Sequence, residues 1–350
     1  MHDRPGVDIG IVRVRPQEDA HSNVEVVCEL STSDDEYRCK AAAGELNKYD
    51  VAVIQYGPGS FGGAHSEQVL FILKWIRVPV VVVVHDVPAD PAAPDAAVLR
   101  SLGESADALV TMSETARQRL VAFFGVPPRK VMVIQHGAHV APLTTGIRID
   151  RGRRPCVLTW GLLAPGKGIE WAIEAMAPLA GMRPRPRYVV AGPTHPQELA
   201  MDGDRYRNAM AIRADKLDLA SVVEFALGYL SQAHLEDLIH EADVVLIPYD
   251  SADVCASAVL VQAIGARKPV VATRFSHAVE LLDGDHGGLL VAPREPQQIA
   301  AALTRILTES GLAEKLVLNA AGLADSLSWP TVAAQYRQLF DALLRKPGAR

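Results

Sequence analysis

The chain has 350 residues, 49 % hydrophobic and 22 % charged, with a formal net charge of -6. That is too long for one ordinary core and suits two globular domains of roughly 150–200 residues each, while the negative balance excludes a mainly electrostatic nucleic-acid binder. Four scattered cysteines, Cys28, Cys39, Cys156 and Cys255, form no C-x-x-C pair, which argues against zinc and disulfide scaffolds and for a reducing cytoplasm.

In chain order, short β-branched runs alternate with amphipathic segments. The first half carries DIGIVRV, VEVVCEL, VAVIQY, VPVVVVVH, DALVTMS and VMVIQH as predicted strands. The second half carries CVLTWG, RYVVAG, VVEFALG, DVVLIPY, PVVAT and GGLLVAP. Most connections are long enough for a helix, so the pattern predicts α/β architecture with parallel sheets covered on both faces. VPVVVVVH is too short for a membrane span and reads as a central strand. The N-terminal MHDRPGVDIG has no apolar signal-peptide core.

One connection breaks the rule. RPQEDAHSN, after the first run, is too short for a crossover helix. The usual opening unit of strand, glycine-rich loop and helix is therefore atypical or missing. VAPLTTGIRIDRGRRP (Val140–Pro155) has no apolar period and reads as a linker. The expected domains are 1–145 and 151–328, each Rossmann-like with about six strands, and a C-terminal helix over 329–350. Ligands in such folds sit beyond the carboxyl ends of the strands.

The strand-end loops are therefore where chemistry is sought. VIQYGPGSFGGAHSE reads as a strand, a tight turn containing Gly57, Gly59, Gly62 and Gly63, then a helix from about His65. VVVVHDVPAD places His85 and Asp86 at the end of the most buried strand. Ser113 reads as a helix N-cap. ETARQRLVAFFGVPPRK combines Arg117, Arg119, Arg129 and Lys130 with Phe123 and Phe124. This is either a face for anionic lipid or an ordinary surface helix with buried phenylalanine.

TWGLLAPGKGIEWAIEAM is the most informative stretch. A strand ends at Trp160, a loop with Gly161, Gly166 and Gly168 follows, and a helix begins with Ile169, Ala172, Ile173 and Met176 inward. Glycines let backbone N–H groups approach an anion, and Lys167 adds positive charge at the helix start. The loop suits a diphosphate, or it is a tight βα turn with a solvated lysine. It is neither a Walker A motif nor G-x-G-x-x-G.

On these residues the second half resembles the donor domain of a family 4 retaining glycosyltransferase of the GT-B type. The family motif, roughly G-R-L-x-P-x-K-G, corresponds to Gly161–Gly168, with Leu162 where an arginine is usual. The resemblance runs in order from Val51 to Phe340 and implies two Rossmann-like domains with a cleft between them. It implies that the loop with Thr194 and His195 approaches the donor, or is simply surface. It places backbone near Gly228 and Tyr229 at the base, and Ser257, Ala258 and Val259 at the donor phosphates. Two glutamates usually precede the PVVA strand; here those positions are Val254 and Gln262. Gln262 retains hydrogen-bonding capacity for ribose hydroxyls. Val254 retains none, and Asp253 beside it is either a substitute or a solvated acid. In the first half the resemblance puts Gly59, Phe61, Gly62 and Gly63 on the acceptor side with Asp86, and His85 at the transferred sugar. His136 shapes the linker entry.

The resemblance implies transfer of a hexosyl group, with a lean to mannosyl from GDP-mannose, from a nucleotide diphosphate sugar to a carbohydrate, lipid or small-molecule acceptor. No cofactor and no metal are expected, no nucleic acid, and a cytoplasmic location with peripheral inner-face membrane contact as an option. The competing reading is an impaired paralogue that binds nucleotide but transfers poorly, favoured by Leu162, Val254, Gln262 and the missing opening unit. A nicotinamide-dependent dehydrogenase would need G-x-G-x-x-G and an acid about 20 residues on, and neither is present.

Overall fold

The computed structural model describes residues 7–15, 26–143, 152–226, 228, 230–251, 253–284 and 287–345. The expected linker therefore lies partly outside the described residues. The chain divides into two compact units, Met1–Gln135 with Val332–Arg350, and His136–Thr331.

In the first unit, β1 (Ile11–Arg15) and β2 (Val26–Ser31) pair in parallel as a sheet of their own. A second parallel sheet has β3 (Ala52–Tyr56), β4 (Val80–Val84), β5 (Ala108–Thr111) and β6 (Val131–Val133) in that order. The single sheet of about six strands expected from sequence is thus split into four and two. The side chains explain the split. β1 and β2 carry Arg13, Arg15 and Glu29, with both arginines 3.6 Å from the glutamate, and charged strands cannot be buried on both faces. β3 alternates buried and exposed residues, as an edge strand does, whereas β4 is buried along its whole length.

Ser113 caps its helix, accepting from the Ala116 N–H at 3.0 Å. The basic and aromatic stretch after it forms no continuous face. Arg119 is buried and donates to the Val87 carbonyl at 2.9 Å, Phe124 is buried, and Arg117 pairs with Glu114. Lys130 donates to the carbonyls of Gly103 and Glu104. This is the pattern of an ordinary surface helix. Among the described residues no helix is long and apolar enough to cross a membrane.

The second unit holds one six-stranded parallel sheet. Its strands are β7 (Cys156–Trp160), β8 (Arg187–Ala191), β9 (Val223–Ala226), β10 (Val244–Ile247), β11 (Val270–Thr273) and β12 (Gly288–Val291). Their order is β9-β8-β7-β10-β11-β12. Alternate residues feed two cores, one on each face: Val157, Val190, Val244 and Leu246 on one side, Leu158, Val189, Val245 and Ile247 on the other. Helix Ile169–Leu179 buries Ile169, Ala172, Ile173, Ala175, Met176 and Leu179 against the first core. That spacing is one stripe of a 3.6-residue period. Polar groups inside the sheet are satisfied in series: the Tyr188 hydroxyl donates to Thr159 Oγ1 at 3.0 Å, which donates to the Leu246 carbonyl at 2.6 Å.

The strand order has a functional consequence. The chain runs outward from β7 through β8 to β9, then returns to start again at β10 beside β7. The helices that follow β7 and β10 therefore pack on opposite faces of the sheet, Ile169–Leu179 in the first core and Ala258–Gly265 in the second. This is the topological switch point where open α/β sheets bind ligands.

Candidate functional site

The two loops at the switch point are Gly161–Gly168, after β7, and Pro248–Ser257, after β10. They are locked together by backbone. The Asp250 N–H donates to the Gly166 carbonyl at 3.1 Å. Gly168 has φ +66, and a Cβ there would stand 1.8 Å from the Pro248 carbonyl oxygen. Only glycine fits such a left-handed, crowded position. On its other side the β7 loop docks on the loop after β8, through Leu163 N–H to Pro193 O at 2.9 Å and His195 N–H to Leu163 O at 2.8 Å.

Lys167 lies between these contacts. Its ammonium sits 4.5 Å from the ring centre of Tyr249, which is 5 % exposed. The aromatic face orients the cation beside the start of helix Ile169–Leu179. Asp250 faces Arg294 at 3.5 Å, so its negative charge is partly answered away from Lys167.

Ser257 opens helix Ala258–Gly265. Its Oγ accepts from the Leu260 N–H at 3.2 Å, and its carbonyl accepts from Val261 at 3.2 Å. Its own N–H donates to His277 Nδ1 at 2.9 Å. Ala258 and Val259 then supply the first two helical N–H groups, which have no carbonyl within the helix to bind. Gln262, one turn on and half-buried, accepts from the Trp160 indole N–H at 3.1 Å through Oε1.

Not every expected residue points to a ligand. The Thr194 hydroxyl is committed to Asp204 Oδ1 at 2.6 Å, and His195 caps helix Pro196–Asp202 by accepting from the Gln197 N–H. Gly228 has φ +98 with open space beside it, while Tyr229 lies outside the described residues. Asp253 is exposed, with its N–H donating to Ser251 Oγ at 3.2 Å. Val254 packs against the apolar core, and Leu162 is 40 % exposed. Gly161, φ +126, leaves 3.6 Å between an added Cβ and Val259.

In the first unit, His85 and Asp86 are exposed at the end of β4. His85 Nε2 shares a hydrogen bond of 2.7 Å with Gln55 Oε1 on β3. The neighbouring glycine loop is tied down by its own chain. Gly59 N–H donates to Ser66 Oγ and Gly62 N–H to Gln68 Oε1, both at 3.0 Å. Gln68 Nε2 in turn donates to the Ser31 and Asp34 carbonyls at the end of β2. A Cβ on Gly62 would meet the Thr32 carbonyl oxygen at 1.7 Å, and Gly63 has φ +93. Phe61 is buried and stacked on Tyr56. The helix expected from about His65 begins at Gln68, because Ser66 takes a left-handed φ of +65. His136 hydrogen-bonds the Gly137 carbonyl at 2.7 Å and its ring lies 5.5 Å from that of Trp329.

Four residues that sequence reasoning passed over shape the switch point: Trp160, Tyr249, Asp250 and His277. His277 is fully buried, and burial, reinforced by the nearby His136, pushes its pKa from the usual 6.5 to about 4. A lone histidine in SHAVELL and a tryptophan ahead of a glycine loop were the available signals. Among the described residues, no group of three or more His, Cys, Asp or Glu could hold a metal ion.

A switch point with a helix-start lysine suits an anionic ligand. The sequence model for a glycosyl transferase 4-like domain matches residues 8–137, and that for glycosyl transferases group 1 matches 154–309. An uncharacterized glycosyltransferase of Methanocaldococcus jannaschii is 26 % identical over 256 residues, 69 % of this chain and 61 % of its own length. A D-inositol 3-phosphate glycosyltransferase of Acidothermus cellulolyticus is 30 % identical over 248 residues, 66 % of this chain and 53 % of its own. The chain thus spans between about half and three fifths of the length of these relatives. The Anabaena protein HepE, crystallised with UDP, shares the fold with a TM-score of 0.72 at 17 % identity, over 91 % of this chain and 86 % of its own. With both halves matched, the chain belongs to the glycosyl transferases group 1 family and has the GT-B fold of two Rossmann-like domains.

Proposed function

We propose that the chain transfers a hexosyl group from a nucleotide diphosphate sugar to an acceptor, with retention at the anomeric carbon. The observation that carries this is the convergence at the β7/β10 switch point of Lys167, the glycine loop and the start of helix Ala258–Gly265. In the proposed step the bond from the sugar C1 to the diphosphate breaks, and negative charge grows on the departing oxygen. Lys167 and the helix-start amides stabilise that charge electrostatically. The acceptor oxygen bonds C1 on the same face, and its proton passes to the departing phosphate, so no side-chain base is required. Gln262 would hold the ribose, and we assign His85 to the sugar. HepE has also been crystallised with UDP-glucose; UDP-hexoses and GDP-mannose are therefore the donors to compare.

A second reading has its own support. Val254 packs in the apolar core and Leu162 offers no charge, at two positions where polar groups face the donor in the family this chain resembles. The second reading is a nucleotide-binding module without transfer activity.

One experiment separates them. The chain is incubated with UDP-glucose, UDP-galactose, UDP-N-acetylglucosamine and GDP-mannose, and nucleoside diphosphate release is followed with and without EDTA. Turnover that survives EDTA, with product of the donor's anomeric configuration, supports transfer. Binding of UDP or GDP with no donor consumed, even across an acceptor panel, supports the second reading.

A further inference from the structure

Trp160 is the last residue of β7 and 6 % exposed. Its indole N–H donates to Gln262 Oε1 across 3.1 Å, joining residues 102 apart in sequence. Two observations show that this face of helix Ala258–Gly265 is turned to the end of β7. Val259, three residues before Gln262 and on the same helix face, approaches the position a side chain on Gly161 would take, at 3.6 Å. Gln262 itself is half-buried there.

The pairing has a chemical consequence. An indole N–H can only donate, so the amide group that meets it must be the carbonyl. The orientation of a glutamine amide is ordinarily ambiguous, and here the partner decides it. The carbonyl is spent on Trp160, and the side chain presents its NH2 group to whatever occupies the switch point. A carboxylate at this position would present an acceptor instead, because its second oxygen would remain beyond Trp160.

We infer that Trp160 is a positioning residue that fixes the polarity of Gln262, so that the chain engages the ribose of a nucleoside diphosphate with a hydrogen-bond donor rather than an acceptor. This rests on the reading of Gln262 as the ribose contact. The ribose hydroxyl it meets must then accept, and the proton of that hydroxyl is not required by the protein.

The test is calorimetric binding to the full chain. UDP and GDP are titrated first, followed by the 2′- and 3′-deoxy and deoxyfluoro forms of whichever binds tighter. Fluorine keeps weak acceptor character and cannot donate. For the wild-type chain, loss of the contacted hydroxyl weakens binding about tenfold, with the fluoro form recovering part of that loss. In Gln262→Glu the parent nucleotide binds more tightly, while the fluoro form falls at least tenfold further behind it than in wild type, because the carboxylate needs the hydroxyl proton. Trp160→Phe leaves the amide free to turn and weakens parent binding about threefold, without changing the affinity of Gln262→Met, which has no polarity to fix.

Equal fluoro penalties in wild type and Gln262→Glu would overturn the inference, even if Trp160→Phe fails to fold. So would a Trp160→Phe effect that persists undiminished in the Gln262→Met background, which would mark Trp160 as a packing residue only. Absence of any binding of UDP or GDP to the wild-type chain would instead overturn the nucleotide reading itself, and this inference with it.

Discussion

The N–H of Ser257 donates to the imidazole Nδ1 of fully buried His277 across 2.9 Å, and the His277 N–H donates to the Val254 carbonyl at 3.1 Å. One residue thus holds both ends of the segment that leads into helix Ala258–Gly265. Because Nδ1 accepts, the ring carries its proton on Nε2 and is neutral.

That neutrality makes stability depend on pH. Burial, reinforced by the nearby His136, lowers the folded pKa from 6.5 to about 4. Between those values the unfolded chain binds a proton that the folded chain does not, so the contribution is full above pH 6.5 and lost as pH falls toward 4. The total is about 3 kcal/mol from this group. His277→Asn, which keeps an acceptor but no titration, should flatten the melting temperature between pH 6.5 and 4.5 relative to wild type; an unchanged slope would remove His277 as its source.

Gly168 tests whether the two switch-point loops are locked by backbone. Its φ of +66 and the 1.8 Å approach of Pro248 O leave no room for a methyl group. Gly168→Ala should cost about 2 kcal/mol or more in urea unfolding. Gly166→Ala, at φ +88 but with 3.6 Å to Asp250, should cost about 1 kcal/mol. Equal costs would mean the close approach is not what restricts the loop.

Lys167 is half-buried over Tyr249, and under the proposed function it serves charge rather than folding. Lys167→Met should weaken nucleoside diphosphate binding about 10- to 100-fold, with little change for the nucleoside and within about 0.5 kcal/mol of wild-type stability. The difference between diphosphate and nucleoside, read by calorimetry, is the deciding measurement.

His85 is exposed and shares its ring nitrogen with Gln55. If it contacts the transferred sugar, His85→Ala should lower kcat at least about 100-fold while UDP binding stays within twofold. An equal loss in nucleotide affinity would place His85 elsewhere.

Much of the architecture was legible because it rests on local periodicity. Every run read as a strand overlaps one, from DIGIVRV at β1 to GGLLVAP at β12. The Ser113 cap and the inward stripe of Ile169–Leu179 follow from short-range rules of the same kind. The tight turn around Lys167 was also legible, since Gly161, Gly166 and Gly168 lie within eight residues and all take positive φ.

Residue types alone placed a glycine-rich loop with a lysine, an amide at position 262 and a histidine at the end of the most buried strand. Tertiary structure decided what each group is free to do. The Thr194 hydroxyl is spent on Asp204, the glycine loop of the first unit is spent on Gln68, and the Gln262 carbonyl is spent on Trp160. It also separated β1 and β2 from the four-stranded sheet and brought His277 to Ser257 from 20 residues away. The physical reason is common to all of these. A hydrogen-bonding group has few lone pairs and protons, and which partner claims them depends on approach in space, which no local spacing encodes.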